Sequence, residues 1–463
     1  MTTVKAIPRG NCLLPVLHFA AYLFLFTTTF NMASHGGGDV LSFSQQRALY
    51  YIHQIVFALG LLCFALARRC LRSGRTYRAL IGTALGVCAL GGAALFLSRG
   101  AYVYLYVASA VVFCLGFLGG ASYLRASRAP AESAGIAWIV GGGNAIAYGL
   151  QYPLQLLGGG SPLLPFVMLA ALAVVSRAAL TRSEDETSAK TGRGAGNMAL
   201  PLLCVCIVTA ALVVPTSFYD GYIVELQIRT ANGAGPFEWP RLLLVPVYLL
   251  FGWLGGKRDG GLVPLAALCT LLLALFHPLL VGASESYRLN MCLFYICIGA
   301  MYSYIDMTFL RVAARTRCPA LWAPMGRVID AAMAVALSLA HPTSFSGGIV
   351  LAVDVAALCA VIVFMTLSGE LSMPFSLLSP APADAPSGKR SGIAVFSENY
   401  GLTEKEREAL TAILRSDLPM GQLAHESGIS ERTLYRHMNS ICEKTGTDSR
   451  MGLVMLYYRD ERP

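Results

Sequence analysis

Twelve stretches of this 463-residue chain are apolar for roughly the length of a bilayer-crossing helix: 11–30, 48–67, 77–97, 101–124, 134–157, 161–180, 198–218, 240–256, 261–281, 287–308, 324–341 and 345–367. About 20 apolar residues are needed to span the hydrocarbon layer as a helix. No water reaches that layer, so each spanning backbone must satisfy its own N–H and C=O groups, which restricts such a chain to helices or a closed barrel. Runs this long are helical. The expected fold class is therefore all-α, a polytopic membrane bundle of about twelve spans. Composition agrees, with only 13% charged residues where soluble domains carry about 25%.

Cationic residues orient the bundle. With the N-terminus cytoplasmic, nineteen of the 35 Lys and Arg fall at the inner face. They are Lys5, Arg9, the run Arg68, Arg69, Arg72, Arg75 and Arg78, then Arg125, Arg128, Arg177, Arg182, Lys190, Arg193, Lys257, Arg258, Arg311, Arg315, Arg317 and Arg327. Five face out (Arg47, Arg99, Arg229, Arg241, Arg288), and eleven lie beyond residue 367. Cytoplasmic loops concentrate Lys and Arg, so both termini are expected in the cytoplasm, and most of the net charge of +9 is loop anchoring. The 13 cysteines include no CxxC pair, and they read as structural thiols rather than a disulfide or zinc framework.

The spans divide six and six, as halves 1–180 and 198–367, around the polar segment 181–197, of which residues 182–197 read "RSEDETSAKTGRGAGN". Equivalent inner loops of the two halves, "ARRCLRSGRTYR" and "GWLGGKRDGG", are both basic and glycine-bearing. That arrangement over residues 1–367 resembles the major facilitator superfamily. After it, Pro374, Pro380, Pro382 and Pro386 mark 368–398 as a partly extended tether.

From 399 to 463 the chain reads as a small soluble four-helix domain. Thr403 with Glu406 forms a capping box ahead of Leu410, Ile413 and Leu414. A second helix is predicted over about 419–427. Ser430 then caps a third, 431–444, whose inner stripe is Leu434, Met438 and Ile441 and whose outer face is Arg432, Tyr435, Arg436, Asn439 and Ser440. Ser449 and Arg450 open a fourth, with Met451, Val454 and Tyr458 turned toward a partner. Such a split suits a helix–turn–helix, where one stripe packs on the scaffold and the other meets bases and phosphates.

"LTEKEREAL" followed by "ISERTLYRHMNSICEKTGTDSR" resembles the LuxR-type helix–turn–helix domain of bacterial regulators. The resemblance implies binding of double-stranded promoter DNA as a homodimer paired through the C-terminal helix. It maps base contacts to Tyr435, Arg436 and Asn439, and phosphate contacts to Thr433 and Lys444. Ser430, Arg432, His437 and Arg450 complete the expected DNA-binding set. The domain holds nine Lys and Arg against ten Asp and Glu, so its sequence-independent affinity is expected to be modest.

Polar side chains within membrane spans are costly and often functional. His18, His53, Gln54, Asn144, Gln151 and Asp354 are the candidates for binding an unknown small molecule, with Tyr50, Tyr51, Tyr148, Tyr295 and Tyr302 as aromatic lining. Asp330 is expected to pair with Arg327 one turn earlier, and Asp306 with arginines at the cytoplasmic rim. No nucleotide-binding, metalloprotease, hydrolase or kinase signature is present. Neither an enzyme activity, a cofactor nor a metal is expected.

The sequence thus predicts a multi-pass protein of the bacterial inner membrane. It reads as a one-component transcriptional regulator, with a transporter-like membrane domain that senses a small molecule or a membrane signal. The alternative is an active transporter with an appended DNA-binding regulatory domain.

Overall fold

The computed structural model describes residues 13–35, 41–70, 74–97, 102–128, 133–156, 163–180, 199–229, 239–256, 287–314, 316, 318–339, 352–353, 355–357, 359, 392–415, 420–426 and 429–460. The chain divides into two compact units, Met1–Ser379 and Pro380–Pro463. Among the described residues every regular element is a helix.

The first unit contains α1 (Leu13–His35), α2 (Phe43–Cys70), α3 (Gly74–Leu97), α4 (Tyr102–Ser127), α5 (Ser133–Leu156), α6 (Leu163–Leu180) and α7 (Ala199–Arg229). A 3-10 turn at Trp239–Leu243 leads into α8 (Leu244–Gly255), followed by α9 (Tyr287–Ala313), the one-turn α10 (Pro319–Trp322) and α11 (Met325–Leu339). Helices stand at ten of the twelve predicted stretches. The stretch 261–281, most of 345–367 and the segment 181–197 lie outside the described residues.

Among the described residues, five segments are long and apolar enough to cross a membrane: Leu13–Ala33, Ser44–Cys70, Gly74–Leu95, Leu105–Ser127 and Met291–Ala313. Their outward faces carry large apolar side chains, such as Leu90 at 77% exposure and Tyr106 at 79%. A surface of this kind is stable where the solvent is itself apolar. By contrast α9 is buried on all sides, from Met291 and Phe294 to Ile305 and Leu310, so it runs through the interior of its unit.

Small residues set how closely these helices approach. Gly60 of α2 lies against the backbone of Phe113 and Gly116 on α4, and a methyl group there would run into it. Gly141 of α5 meets Gly252 of α8, where an added Cβ would sit 2.6 Å from the opposing Cα. Lipid supplies no hydrophobic drive for helices to associate, so close backbone packing of this kind is what holds them.

The second unit contains α12 (Gly392–Asn399), α13 (Glu404–Arg415), α14 (Met420–Glu426), α15 (Glu431–Thr445) and α16 (Arg450–Asp460). Its core joins Leu410, Ile413, Leu423, Ala424, Leu434, Ile441 and Leu453. The inner stripe of α15 falls as the periodicity predicts, with Met438 packed against the core. Ser430 holds an extended backbone (φ −70°, ψ 148°) and accepts from the Thr433 N–H, while Gly446 ends the helix in the left-handed region at φ 68°.

The stretch 368–398, read as a partly extended tether, is helical from Gly392. Phe396 of α12 is buried against Tyr457 of α16 at 5.3 Å between ring centroids and against Tyr400 at 4.6 Å. The prolines stop before residue 387, so nothing prevents a short helix once Phe396 has an aromatic site to fill. In α16, Val454 packs against the core and is only partly exposed, so it is not a free partner-facing side chain. The side chains of Met451 and Tyr458 lie outside the described residues.

Candidate functional site

The membrane unit encloses a polar centre in which Asp306 pairs with Arg327, one of the arginines counted at the inner face. Asp306 on α9 is 1% exposed. Arg327 on α11 grips it with two bonds, Nη2 to Oδ2 at 2.9 Å and Nε to Oδ1 at 3.1 Å. Tyr123 on α4 closes the triangle: its hydroxyl donates to Asp306 Oδ1 at 3.1 Å and accepts from Arg327 Nε at 3.1 Å. The Tyr302 ring lies 3.9 Å beneath the guanidinium, and Tyr22 of α1 packs edge-on against Tyr123. Desolvating an ion pair is expensive unless its geometry is good and its remaining donors and acceptors are used. The bidentate grip, the phenol and the ring together supply this.

This arrangement corrects the expected Arg327–Asp330 pair, because Arg327 is salt-bridged to Asp306, 21 positions away. It also moves two of the loop arginines inside. Arg327 is mostly buried, and Arg311, 6% exposed, donates from Nη2 to the Gly255 carbonyl at the end of α8 at 3.0 Å.

The candidate ligand residues do not converge on one point. His53 lies 3.3 Å from the Ser109 hydroxyl and packs against Phe30. Gln54 donates to Tyr50 of its own helix at 3.3 Å. His18 is buried in α1, and its Nδ1 is without a partner. Asn144 and Gln151 share one face of α5, both 1% exposed. Asn144 donates to the Val140 carbonyl at 2.9 Å, whereas its Oδ1 and both amide atoms of Gln151 are without a partner. Asp354 lies outside the described residues.

In the second unit, α15 buries Leu434 and Ile441 and turns Arg432, Tyr435, Arg436 and Asn439 to solvent. These four sit at i, i+3, i+4 and i+7, a single exposed stripe. Ser430 is exposed at the helix start, with its hydroxyl 2.7 Å from that of Thr433. Thr433, His437 and Arg450 are partly exposed.

Ser440 and Lys444 have other work. Ser440 donates to Glu406 Oε1 at 2.7 Å, and Lys444 Nζ donates to Glu406 Oε2 at 2.7 Å and to the Gly401 carbonyl at 3.2 Å. Thr403 adds its N–H at 2.7 Å and its hydroxyl at 2.9 Å to the same carboxylate. The expected capping box is therefore extended into a tie between α13 and α15. Burial by itself would raise the Glu406 carboxyl pKa, but donation from Lys444, Ser440 and Thr403 outweighs it and holds the group down at about 2. Two of the three Lys444 protons are therefore engaged inside the unit.

No protein-family profile matches the chain. Nor does any curated protein match it in sequence. Among solved structures it is similar to the human organic anion transporter MFSD10 (TETRAN), at 15% identity and TM-score 0.46, over 80% of this chain and all of that one. It is likewise similar to the peptide transporter POT solved with alafosfalin, at 15% identity and TM-score 0.48, over 79% of this chain and 97% of that one.

Proposed function

We propose that this chain joins a ligand-handling membrane bundle to a C-terminal unit that binds promoter DNA. The observation that carries the DNA-binding half is the exposed stripe Arg432, Tyr435, Arg436 and Asn439 on α15, a helix anchored from behind by Glu406. Arg and Asn side chains at this spacing suit base edges in a major groove. Ser430, Thr433, His437 and Arg450 flank the stripe where phosphates would pass, and a homodimer through α16 would present two copies to a two-fold site. The test is chromatin pull-down sequencing of the full-length protein beside an Arg436→Ala, Asn439→Ala variant. Discrete peaks lost in the variant are expected, and identical profiles would sink the DNA-binding reading.

The membrane half admits two roles. In the first it senses a small molecule or membrane signal and sets the state of the tail, as a one-component regulator of the bacterial inner membrane with both termini cytoplasmic. In the second it is a transporter with an appended DNA-binding domain. The buried Asp306–Arg327 pair favours the second for this unit, because ionisable groups inside membrane helices commonly mark pathways for substrates or ions. Flux separates the two. Substrate-dependent uptake into proteoliposomes that is lost in Asp306→Asn supports transport, and regulated promoter binding without uptake supports sensing alone.

A further inference from the structure

We infer that a lateral cavity between α1, α3, α4 and α6 is a binding site for a small, uncharged, hydrocarbon-like molecule that enters from the bilayer. This inference rests on the reading of the first unit as a ligand-handling bundle and names the chemistry it takes. The cavity measures about 240 Å³. Leu25 and Thr29 of α1, Cys88 and Gly92 of α3, Leu115 of α4 and Met168 of α6 are among its walls. Among the described residues no charged side chain lines it, and Thr29 and Cys88 bring its only polar side-chain groups. Protein interiors are close-packed, with few voids larger than a water molecule. An apolar protein cavity of about 150 Å³ stays dry and takes up benzene. In the same proportion this one holds roughly ten carbon atoms. It falls short of drug-sized pockets, which begin at about 300 Å³.

The space is left open by α3. Glycine within a helix is unfavourable relative to alanine, and Gly60 and Gly141 are explained by a backbone pressed against them. Gly92 has no such neighbour, since a Cβ built there meets nothing within 4 Å. Leu169 is 54% exposed and Ala93 is exposed, whereas Leu25, Thr29, Cys88, Val111, Leu115 and Leu172 are buried. The mouth therefore lies between α3 and α6. Leu90 shares the face of Ala93, and Phe166 that of Leu169, each three residues away; both are exposed, as lipid-facing side chains are. Gly92 and Met168 stand five residues inside the ends of α3 and α6, or about 7–8 Å along the axis. A lipid chain would have to turn in sideways at that depth with its headgroup still held at the interface, whereas a free molecule of this size enters whole. The cavity also bears on the ion-pair centre. Tyr22, one turn before Leu25 on α1, packs edge-on against Tyr123, so an occupant presses on a helix that supports the Asp306–Arg327 pair.

The test uses the full-length protein in lipid nanodiscs, with naphthalene as probe and 2-naphthoate as its charged counterpart. Bound probe is measured at equilibrium against protein-free nanodiscs, so that saturable binding stands apart from partitioning into lipid. Thermal unfolding is the second readout. One saturable naphthalene site per chain is expected, with 2-naphthoate at least about tenfold weaker, because the lining offers a carboxylate no counter-charge. Gly92→Leu is expected to fill the space, losing the saturable site and raising the unfolding temperature of the ligand-free protein. Gly82→Leu, at an exposed glycine of the same helix with nothing within 4 Å of its added carbon, should keep the site. No saturable component in folded wild-type protein would mean that lipid chains occupy the cavity, and overturns the assignment. Saturable binding that survives Gly92→Leu, a lowered unfolding temperature in that variant, or equal affinity for 2-naphthoate overturns it as well. Those outcomes leave the uptake and chromatin results untouched, so failure here is distinguishable from failure of the broader reading.

Discussion

Glu406 and Lys444, 38 positions apart, meet through a 2.7 Å bond between Nζ and Oε2. Glu406 is 5% exposed and also receives Ser440 and Thr403. One carboxylate thereby fixes the start of α13 and the last turns of α15 against each other. The helix whose stripe is proposed to read DNA is oriented by a group that never reaches its surface.

Removing that group leaves several donors without an acceptor. Glu406→Ala should lower the stability of the second unit by about 1–3 kcal/mol. Hydrogen exchange at the amides of α15 in the full-length protein measures it. Unchanged protection would mean the tie is dispensable.

Acid should loosen the same contact, with a definite sign. The Glu406 pKa is lowered on folding, from 4.5 to about 2. Its contribution is therefore complete above about pH 4.5 and fades as pH falls toward 2. In Glu406→Gln this part of the acid dependence should be missing. Exchange at α15 amides across that window, compared between the two proteins, checks it.

Lys444 offers a separate test. A pure phosphate contact, when removed, reduces the slope of log affinity against log salt by about one unit. Because Lys444 is engaged with Glu406 and Gly401, Lys444→Met should destabilise the second unit while changing that slope by clearly less. Salt titrations of DNA binding by full-length protein distinguish the two.

Asp306→Asn leaves the Arg327 guanidinium buried without its counter-charge. Breaking such a pair from one side costs about 3–5 kcal/mol. Replacing both partners, as Asp306→Asn with Arg327→Gln, should cost less than the two single changes added together. Thermal unfolding of all four proteins in one detergent completes the cycle, and strict additivity would argue against the coupling seen here.

Gly141→Ala should part α5 from α8, since the new methyl lies 2.6 Å from the Gly252 Cα. Overpacking of this kind costs about 1–3 kcal/mol. Gly82→Ala on α3 is the matched control, with nothing within 4 Å of its added carbon. It should be neutral or slightly stabilising, because alanine is the better helix former.

Local pattern determined a good deal about this chain. Continuous apolar runs gave helices at the ten predicted stretches where helix is described, and apolar spacing with Ser430 and Gly446 gave the limits and the inner stripe of α15. Such features depend on neighbours within a few residues, and a sequence displays those directly. Partners far apart along the chain were decided only by the tertiary structure. Arg327 had Asp330 one turn away but pairs with Asp306 and Tyr123, because three helices bring those buried groups together at bonding distance. Lys444 looked like a free cation until folding set Glu406 beside it. Phe396 looked like part of a tether until Tyr457 gave its ring a place to pack. A buried polar group must find whatever complement the fold brings within reach, and periodicity along one helix carries no record of which helix that will be.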